Sequence, residues 1–318
     1  MSTLDKILEE INKAQSIVIL THENPDGDAV GSSLALYNAL KTYGKNNVDL
    51  IIPECPKTFM FLPGASEIKK ESDNKNYDLA FAIDCAAENM LNGWSKYFEE
   101  VENKVVIDHH GTNTMYGDYN FVNPDSPACA EVMIVALNSF NMNIDKKIGT
   151  CLLAGIITDT GGFKYQGVTA ETFQFVAELL NKGVNVSETY RKVLQVKTRS
   201  AYELSRIANN RLELLEDGKI AYTYITLEDY DNVGAVYGDH EGIVDTGRDI
   251  EGVEVSIFVR AIKGKGLKVS LRSNENVDVD EIALLFGGGG HPKAAGFSIN
   301  GDFDFVKEKV ISEVRHYL

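Results

Sequence analysis

Short apolar segments alternate with amphipathic stretches through the first half of the chain. Runs of four or five mostly apolar residues, bounded by turn-forming residues, predict buried β-strands, and apolar residues that recur at intervals of three and four predict helices between them. The strands are predicted at residues 16–20, 48–52, 79–83 and 104–107, and the helices at residues 4–14, 29–43, 130–140, 146–157 and 169–182. Because this alternation is typical of a parallel sheet with helices on its faces, we expect a doubly wound α/β domain.

The pattern changes in the second half of the chain. Residues 186–215 have helical periodicity and few turn signals, so they predict two helices that connect two domains. Further strands are predicted at residues 220–225, 253–262 and 267–272, and further helices at residues 278–286 and 303–318. With a hairpin turn predicted at residues 263–266, we expect a smaller α/β domain with a mixed sheet. The predicted bounds are 1–187 for the first domain, 188–215 for the helical linker and 216–318 for the second domain.

Length and charge narrow the range of functions. With 318 residues and a hydrophobic content of 44%, the chain has the size and composition of a globular protein of two domains. Its formal net charge of -16 disfavours binding to long duplex nucleic acid, since such binding depends on many Lys and Arg contacts to phosphates. The net charge is compatible with binding of a small phosphorylated ligand, provided that bound cations neutralise nearby carboxylates.

The sequence gives no sign of a membrane segment or of structural disulfides. The first residues predict an acidic amphipathic helix, unlike a signal peptide, and apolar runs such as residues 151–157 are too short to cross a bilayer. The four cysteines form no Cys-x-x-Cys pair, so they indicate neither a disulfide framework nor a zinc ribbon. We therefore expect a cytoplasmic protein with reduced thiols and no membrane contact.

Acidic and imidazole residues gather where predicted strands end. These residues are His22, Asp26 and Asp28 after the first strand, Asp84 after the third, and Asp108, His109 and His110 after the fourth. In open α/β sheets, ligands bind at the carboxyl ends of the strands, so we expect the three clusters to meet at one edge. Asp159 adds a fourth contribution, because a turn at Gly161 and Gly162 is expected to move its side chain out of the packed helix.

Each of these segments also has a plainer interpretation. A lone Asp after a strand usually caps a helix, the segment from Asn24 to Gly27 is a good turn, and a pair of histidines is usually incidental. Their joint arrangement, in a chain with six histidines, favours a metal site. Carboxylates and imidazoles suit manganese or magnesium better than thiolate-bound zinc, and two such cations roughly 3.5 to 4 Å apart are typical of phosphoryl hydrolysis.

A basic segment in the second domain contrasts with the acidic character of the whole chain. Residues 260–272 contain five basic side chains and no acidic one. The alternation of a strand places Lys268, Ser270 and Arg272 on one face. A solvated hairpin explains the lysines equally well, whereas Arg272 is the stronger candidate because a guanidinium can bind a phosphate at two points.

A run of glycines follows a predicted helix of the second domain. The run consists of Gly287, Gly288, Gly289 and Gly290. One glycine can cap the helix, but four exceed what capping needs, so we expect close backbone approach to a ligand and N–H groups free to bind an anionic oxygen. His291 is expected to hydrogen-bond the same ligand, while His240 and His316 are expected at the surface.

Taken together, the motifs resemble the DHH family of phosphoesterases, named for the triplet that here is Asp108, His109 and His110. The first family motif is similar to residues 22–32, the second to residues 83–84 and the fourth to residues 155–161. Residues 287–296 resemble the signature of the DHH-associated substrate-binding domain. The resemblance covers nearly the whole chain, and it implies a catalytic first domain that binds metal and a second domain that binds substrate.

The resemblance also implies roles for individual residues. One manganese ion would be bound by His22, Asp26 and Asp84, and a second by Asp28, Asp84, His109 and Asp159, with magnesium or cobalt as other possibilities. Asp84 would bridge the two ions, His110 would contact the scissile phosphate, and Asp108 would orient the histidines. The residue pattern of the second domain predicts substrate contacts at Arg272, Ser270, Gly288, Gly289, Gly290 and His291, and the resemblance adds Lys164.

Within the family, the compact two-domain length most resembles the small oligoribonucleases that also remove the 3'-phosphate from 3'-phosphoadenosine 5'-phosphate. This implies a manganese-dependent phosphoesterase that degrades short RNA to mononucleotides. One departure is Lys164, where relatives often carry arginine, so that a phosphate contact there would be less bidentate.

Several alternatives remain open at this point. A phosphodiesterase for linear or cyclic dinucleotides would use the same metal site. A non-catalytic module that binds nucleotides or RNA would use the second domain without turnover, although the intact ligand set argues against it. A pyrophosphatase of the family is disfavoured by the glycine run. Cleavage direction and oligomeric state, a homodimer included, are left open.

Overall fold

A computed structural model describes residues 2–74, 76–165, 167–236 and 238–318 of the chain. The chain divides into two compact units, residues 1–196 and residues 197–318. Within the described ranges, no helix combines the length and the apolar composition that crossing a bilayer would require. The four cysteines are free thiols.

Helices and parallel strands alternate in the first unit. In chain order they are α1 (Thr3–Lys13), β1 (Ile17–Thr21), α2 (Gly27–Tyr43), β2 (Val48–Ile51), β3 (Leu79–Ile83), α3 (Lys96–Glu99), β4 (Asn103–Asp108), β5 (Tyr119–Val122), α4 (Cys129–Ser139), α5 (Lys146–Asp159), α6 (Ala170–Asn181) and α7 (Val186–Tyr190). In the described residues, β1 to β5 form a parallel sheet with the order β2-β1-β3-β4-β5. The predicted α/β fold of this unit is confirmed.

The strand order places the carboxyl ends of three strands side by side. β1 has β2 on one side and β3 on the other, and β4 pairs with β3. All residues of β1 and β3 are buried, which explains their continuous apolar sequences. A crevice forms outside the strand ends where the order of an open sheet reverses, and ligands bind there. The residues that follow β1, β3 and β4 therefore become neighbours.

Small residues allow α2 and α5 to pack closely beside this crevice. A Cβ atom added to Gly31 of α2 would lie 2.5 Å from the carbonyl oxygen of Cys151 in α5. A Cβ atom added to Gly155 of α5 would lie 2.5 Å from Oδ1 of Asp28. Only glycine fits at such separations, so the two positions let the start of α2 approach the last turns of α5.

The second unit has a mixed sheet. Its elements are α8 (Arg199–Asn210), β6 (Glu213–Leu215), β7 (Ile220–Ile225), α9 (Leu227–Val233), α10 (Ile243–Arg248), β8 (Val255–Ile262), β9 (Gly266–Ser273), α11 (Val279–Leu285), β10 (Gly289–His291), β11 (Ala294–Ile299) and α12 (Phe303–Val314). The strand order in the described residues is β10-β11-β9-β8-β7-β6. β7 and β8 pair in parallel and the other neighbours are antiparallel, so the predicted mixed sheet is confirmed.

Successive side chains of β9 point to opposite faces of the sheet, as predicted. Leu267, Val269 and Leu271 belong to the buried core of the second unit. Lys268, Ser270 and Arg272 consequently lie on the other face of the sheet.

Residues 186–215 differ from the two predicted helices. α7 continues into a π-helical turn at Arg191–Gln195, α8 follows, and Glu213–Leu215 forms β6. Glu and Leu are strong helix formers, which explains the prediction. Antiparallel pairing of β6 with β7 overrides that preference. The domain bounds given by the sequence stay a prediction.

Three further strands, besides β6, were not among the predicted elements. β5 has the sequence Tyr-Asn-Phe-Val and is only half-buried at the edge of the first sheet. β10 and β11 contain glycine and alanine, which have low strand propensity. All three depend on pairing with a neighbouring strand, and the local sequence does not reveal such pairing.

Candidate metal centre

Side chains from four segments meet beyond the carboxyl ends of β1, β3 and β4. They form three groups, and within each group the candidate ligand atoms lie within 4.8 Å of one another. The groups are His22, Asp26 and Asp84; Asp28, His109 and Asp159; and Asp84, His109 and His110. Asp84 and His109 each belong to two groups, so the groups are adjacent. Every donor is a carboxylate oxygen or an imidazole nitrogen, a set that suits manganese or magnesium.

Asp84 is the most constrained residue of this centre. Its side chain is buried, and its backbone φ of +53° lies in the left-handed region that non-glycine residues seldom adopt. Its Oδ1 atom is inaccessible to solvent and has no hydrogen-bond partner in the described part of the chain. Burial raises the pKa of Asp84 well above its ordinary value, and the carboxylates of Asp28 and Asp26 raise it further. A buried carboxylate without a donor fits the role of a cation ligand.

Asp28 is held by the start of a helix. The N–H groups of Cys129 and Ala130, at the start of α4, donate to its two carboxylate oxygens, and the hydroxyl of Ser32 donates over 3.1 Å. Such N–H groups form the positive end of the helix dipole and favour an anion. Burial and the charge of Asp159 nevertheless raise the pKa of Asp28 well above its ordinary value. The carboxyl group is oriented, and a bound cation would stabilise its ionised form.

Asp26 both caps a helix and belongs to a ligand group. Its Oδ1 atom accepts hydrogen bonds from the N–H groups of Asp28 and Ala29 over 2.9 and 3.0 Å. Asp26 thereby caps the N-terminus of α2. The same carboxylate lies in one ligand group with His22. Burial lowers the pKa of His22, against the charge of Asp26, so the ring is neutral at pH 7 and can bind a metal.

His109 directs one ring nitrogen into the centre. Its Nδ1 atom lies 3.1 Å from the carbonyl oxygen of Ser126, which can only accept, so Nδ1 carries a proton. Its Nε2 atom lies 3.3 Å from Oδ2 of Asp159 and 3.5 Å from Oδ1 of Asp84. Burial favours the neutral ring, but the hydrogen bond with Asp159 and the charge of Asp28 raise the pKa of His109 to about 9. A cation at this position would displace the proton of Nε2.

Asp159 reaches the centre directly from the end of α5. The helix continues through Asp159, and the left-handed residues Gly161 and Gly162 reverse the chain only afterwards. The expectation that a turn moves this side chain out of the helix is therefore wrong, since the close packing of α2 and α5 brings it to Asp28. Burial raises the pKa of Asp159. Lys164, a little farther along, is exposed, and its Nζ atom lies 5.8 Å from the ring centroid of Tyr165.

His110 and Asp108 form a pair beside the ligand groups. Nδ1 of His110 donates to Oδ1 of Asp108 over 2.8 Å, and the side-chain amide of Asn113 donates to the other oxygen. Burial alone would raise the pKa of Asp108, but these two hydrogen bonds hold it below its ordinary value. Asp108 thus stays ionised and occupies Nδ1 of His110, which leaves Nε2 as the ring atom available to a substrate.

Sequence reasoning did not identify the supporting contacts of the centre. Asn113 holds Asp108, the Ser126 carbonyl holds His109, and the N–H groups that start α4 hold Asp28. Most of these are backbone groups, which every residue carries, so no residue type marks them. Asn113 lies in a loop where asparagine is common for conformational reasons.

The basic face of the second unit includes an acidic residue that was not predicted. Nε of Arg272 lies 3.7 Å from Oδ1 of Asp245 in α10, and Arg248 pairs with the same oxygen over 2.8 Å. The Arg272 side chain remains 29% exposed. Burial lowers the pKa of Lys268, and the charge of Arg260 lowers it further. The face therefore keeps Arg272 oriented and accessible.

The glycine run is a helix cap followed by an edge strand. Gly287 has a φ of +74°, and the N–H groups of Gly287 and Gly288 donate back to the last turn of α11, as in a Schellman motif. The expectation of free N–H groups is therefore wrong for these two residues. A Cβ atom on Gly290 would lie 2.5 Å from the carbonyl oxygen of Ala294, so β10 can pair with β11 only because its residues are small.

Register places part of the predicted substrate set on one face. His291 pairs with Ala294, which pairs with Arg272. Gly289 lies across from Gly296, which lies across from Ser270, so these side chains and backbone positions share a face.

The two remaining histidines of the second unit differ in exposure. His240 was expected at the surface, but its ring stacks on Phe258 with a centroid distance of 6.5 Å, and burial lowers its pKa to about 4. That expectation is wrong. His316 is exposed, as expected.

Comparison with known proteins assigns both units to families. The DHH family N-terminal domain matches residues 16–156, and the DHHA1 domain matches residues 217–317. The chain is 34% identical to the bifunctional oligoribonuclease and PAP phosphatase NrnA of Thermus thermophilus, over 98% of this chain and 94% of that protein. It is 26% identical to the protein of the same name from Bacillus subtilis, over 92% of each chain. A solved structure of an exopolyphosphatase-related protein from Bacteroides fragilis matches with a TM-score of 0.91 and 27% identity, over 99% of this chain and 96% of that one.

Proposed function

The chain belongs to the DHH family of phosphoesterases, and from this premise we propose that it hydrolyses short oligoribonucleotides to mononucleotides and removes the 3'-phosphate of 3'-phosphoadenosine 5'-phosphate. The relative from Thermus thermophilus is named as a bifunctional oligoribonuclease and PAP phosphatase, and the match covers 94% of that protein. The chain is a phosphoesterase with Asp and His clusters suited to metal binding. The identity of the substrates is the proposed part.

The shared position of Asp84 is the observation that carries the metal proposal. Its buried Oδ1 atom has no hydrogen-bond donor in the described residues, and it stands between two ligand groups. We propose one divalent cation at His22, Asp26 and Asp84, and a second at Asp28, Asp84, His109 and Asp159. Manganese is the preferred ion for this mixed donor set, with magnesium and cobalt as alternatives.

The residues of the chain have separate tasks in the proposed reaction. When two divalent cations are bound, they polarise the phosphoryl oxygens and lower the pKa of the attacking water towards neutrality. Asp108 keeps Nδ1 of His110 occupied, so that Nε2 can contact an oxygen of the scissile phosphate. The start of α4 orients the carboxyl group of Asp28, and Ser126 keeps the ring of His109 in one orientation.

The second unit carries a further set of proposed substrate contacts. Arg272 would bind a phosphate or stack on a base, and Ser270, Gly289 and His291 would line the same face. Gly290, which was also expected to contact the substrate, lies across from Ala295 on the buried face, so it would serve the packing of β10 on β11. Gly288 would shape the strand instead of donating its N–H group, which closes the helix cap. Lys164, in the first unit, would add a single charge contact to the scissile phosphate.

One chromatographic assay with manganese tests the proposal. The compounds are a ribodinucleotide, a five-nucleotide RNA, 3'-phosphoadenosine 5'-phosphate, a cyclic dinucleotide and inorganic polyphosphate. We expect mononucleotides from both RNAs and AMP from the bisphosphate, with no product from an Asp159→Asn variant. Faster turnover of the cyclic dinucleotide or of polyphosphate than of all the others would replace the proposed substrates.

The main alternative is a phosphodiesterase for linear or cyclic dinucleotides, because the same ligand groups would serve it. The assay separates the two, since a dinucleotide enzyme leaves five-nucleotide RNA and the bisphosphate intact. A non-catalytic nucleotide-binding module would bind these compounds in the presence of manganese and release no product from any of them.

A further inference from the structure

A cavity of about 370 Å³ in the first unit is lined by residues of α4, of α6 and of the segment that leads from β5 into α4. α4 contributes Glu131, Val132 and Val135, and α6 contributes Glu171 and Phe175. None of these five residues belongs to a ligand group of the metal centre or to the proposed substrate contacts. Sites for small molecules have volumes of roughly 300 to 1,000 Å³, so the cavity is large enough to hold one.

Glu131 places a buried carboxyl group at this cavity. The residue is 3% exposed, and its Oε1 atom has no hydrogen-bond partner in the described chain. Its position in the first turn of α4 suits an acidic residue because of the helix dipole. No side-chain hydrogen bond caps this helix, however, so capping does not explain why the carboxyl group is buried. A buried carboxyl group without a donor is costly, and a bound ligand that supplies the donor would remove this cost.

The charged side chains around the cavity all have the same sign. Asp125 and Glu171 are exposed, and they add two carboxylates to that of Glu131. Lys, Arg and His are absent from the described residues that line the cavity. Burial raises the pKa of Glu131, and the charge of Glu171 raises it further. A cation bound in the cavity would therefore offset the repulsion between these carboxylates.

Apolar side chains accompany the carboxylates on both helices. Val135 follows Glu131 by four residues on α4, and Phe175 follows Glu171 by four residues on α6. Residues four apart lie on the same face of a helix. Val135 is 40% exposed, which is a large fraction for an apolar side chain. Each helix thus presents to the cavity a carboxylate and, one turn later, an apolar side chain.

This combination suits an organic cation better than a metal ion. In the described residues, Asp125, Glu131 and Glu171 belong to none of the groups whose three candidate ligand atoms lie within 4.8 Å of one another. An alkylammonium ion has a charged head that donates hydrogen bonds to carboxylates, and a chain that gains free energy when apolar side chains cover it. Its two parts match the two kinds of side chain in the cavity.

We propose that the cavity binds a small primary alkylammonium ion, with the ammonium group between Glu131 and Glu171 and the alkyl chain against Val135 and Phe175. The site lies outside the metal centre, and the inference depends on neither the metal nor the substrate of the proposed reaction.

The first test locates the site and measures the contribution of each part of the ligand. The full chain, with ¹³C-labelled valine methyl groups and excess magnesium to keep the probe from the acidic centre, is titrated with n-hexylammonium. We expect saturable shifts at the methyl groups of Val132 and Val135. Hexan-1-ol, which has the same chain without the charge, should bind at least about tenfold more weakly, as expected for a lost charge-assisted hydrogen bond. Methylammonium should also bind at least about tenfold more weakly, because it lacks the chain.

The second test removes the buried charge and keeps the shape of the side chain. Glu131→Gln should weaken n-hexylammonium binding about tenfold and leave the binding of hexan-1-ol unchanged. Glu178→Gln is the matched control, because Glu178 is an exposed glutamate of α6 that does not line the cavity. It should bind both probes like the parent.

Glu171→Gln keeps the test decisive if Glu131→Gln does not fold, because Glu171 is exposed and its replacement leaves the core intact. We expect about threefold weaker binding of n-hexylammonium, as for a charge that solvent partly screens. Absence of shifts at Val132 and Val135, or equal affinities for n-hexylammonium and hexan-1-ol, would overturn the proposal. Parent-like binding of n-hexylammonium by Glu171→Gln and by any folded Glu131→Gln would overturn it as well. No catalytic assay enters these tests, so their failure would leave the proposed function unaffected.

Discussion

The acidic centre of the first unit and the basic face of the second unit are assembled by different means. The acidic centre collects side chains from the ends of β1, β3, β4 and α5, which are far apart in sequence and meet because of the strand order. The basic face takes Lys268, Ser270 and Arg272 from alternate positions of a single strand. Topology therefore positions the first set of residues, and the twofold period of a strand positions the second.

The two regions also differ in their effect on the stability of the folded protein. Asp28 and Asp84 are fully buried, and burial raises the pKa of both well above the ordinary value. Arg272 keeps partial exposure and has Asp245 nearby. Like charges buried together destabilise a protein until a cation binds, whereas a half-exposed guanidinium is hydrated without a ligand. The acidic centre is thus expected to depend on metal for stability, and the basic face is not.

The largest expected effect is the loss of turnover in Asp84→Asn. Both proposed cation positions lose a carboxylate, so activity should fall by more than about 100-fold, the upper end for supporting residues around a metal. Metal-free Asp84→Asn should nevertheless be at least as stable as the parent, because the neutral amide removes a repelled charge. Activity with manganese and the melting temperature with a chelator measure the two effects. Exposed Asp73→Asn is the control, and an active Asp84→Asn enzyme would refute the shared role of this residue.

Removal of metal should make the stability of the protein depend on pH. The pKa values of Asp28 and Asp84 are raised on folding, so the folded state binds protons more tightly than the unfolded state. The stability present below the unfolded value of about 4 is therefore lost as pH rises through the raised values, by up to about 1.4 kcal/mol per pH unit for each group.

The two histidines act on this dependence in opposite directions. His109, with its pKa raised to about 9, adds to the loss of stability above pH 6.5. His22, with its pKa lowered, acts below pH 6.5, where it adds stability as the pH rises. Melting temperatures of chelator-treated protein from pH 4 to pH 8 measure the net slope, and added manganese should flatten it. Equal slopes with and without manganese would mean that the acidic centre does not bind the cation.

Parts of both the acidic centre and the basic face could be predicted from the sequence. Asp84, His109 and His110 lie in one ligand group, and Asp108 contacts His110, because residues after neighbouring parallel strands meet at one edge. The roles assigned to these residues from the sequence stay predictions. The face of Arg272 followed from strand alternation. In both regions a simple period or a fixed topology links sequence position to space.

The parts that were not predicted depend on contacts without a local signature. The carbonyl of Ser126 and the N–H groups that start α4 support the acidic centre through backbone atoms, which look alike at every residue. Asp245 reaches Arg272 from a separate helix. β10 exists only through pairing with β11. Such contacts follow from the tertiary fold, and a single sequence contains no pattern for them.

Arg272→Ala should affect the basic face without affecting the acidic centre. A lost charge-assisted hydrogen bond is expected to weaken substrate binding by about 1.5 to 3 kcal/mol, which appears as a higher KM for 3'-phosphoadenosine 5'-phosphate. Manganese affinity and melting temperature should stay unchanged. Arg315→Ala is the matched control, because Arg315 is an exposed arginine of the same unit that pairs with Glu216. An unchanged KM would remove Arg272 from the proposed substrate contacts.

The smallest expected effect separates packing from ligand binding in the glycine run. An added Cβ atom at Gly290 would lie 2.5 Å from the carbonyl oxygen of Ala294, whereas at Gly289 the nearest atom, Oδ1 of Asp280, is 3.6 Å away. Gly290→Ala should destabilise the protein by about 1 to 3 kcal/mol, and Gly289→Ala should leave urea unfolding nearly unchanged. Because Gly289 lies across from Gly296 on the face of Ser270, any loss of substrate affinity in stable Gly289→Ala reports a ligand contact. If Gly289→Ala binds substrate like the parent, the glycine run serves the pairing of β10 with β11 and not the substrate.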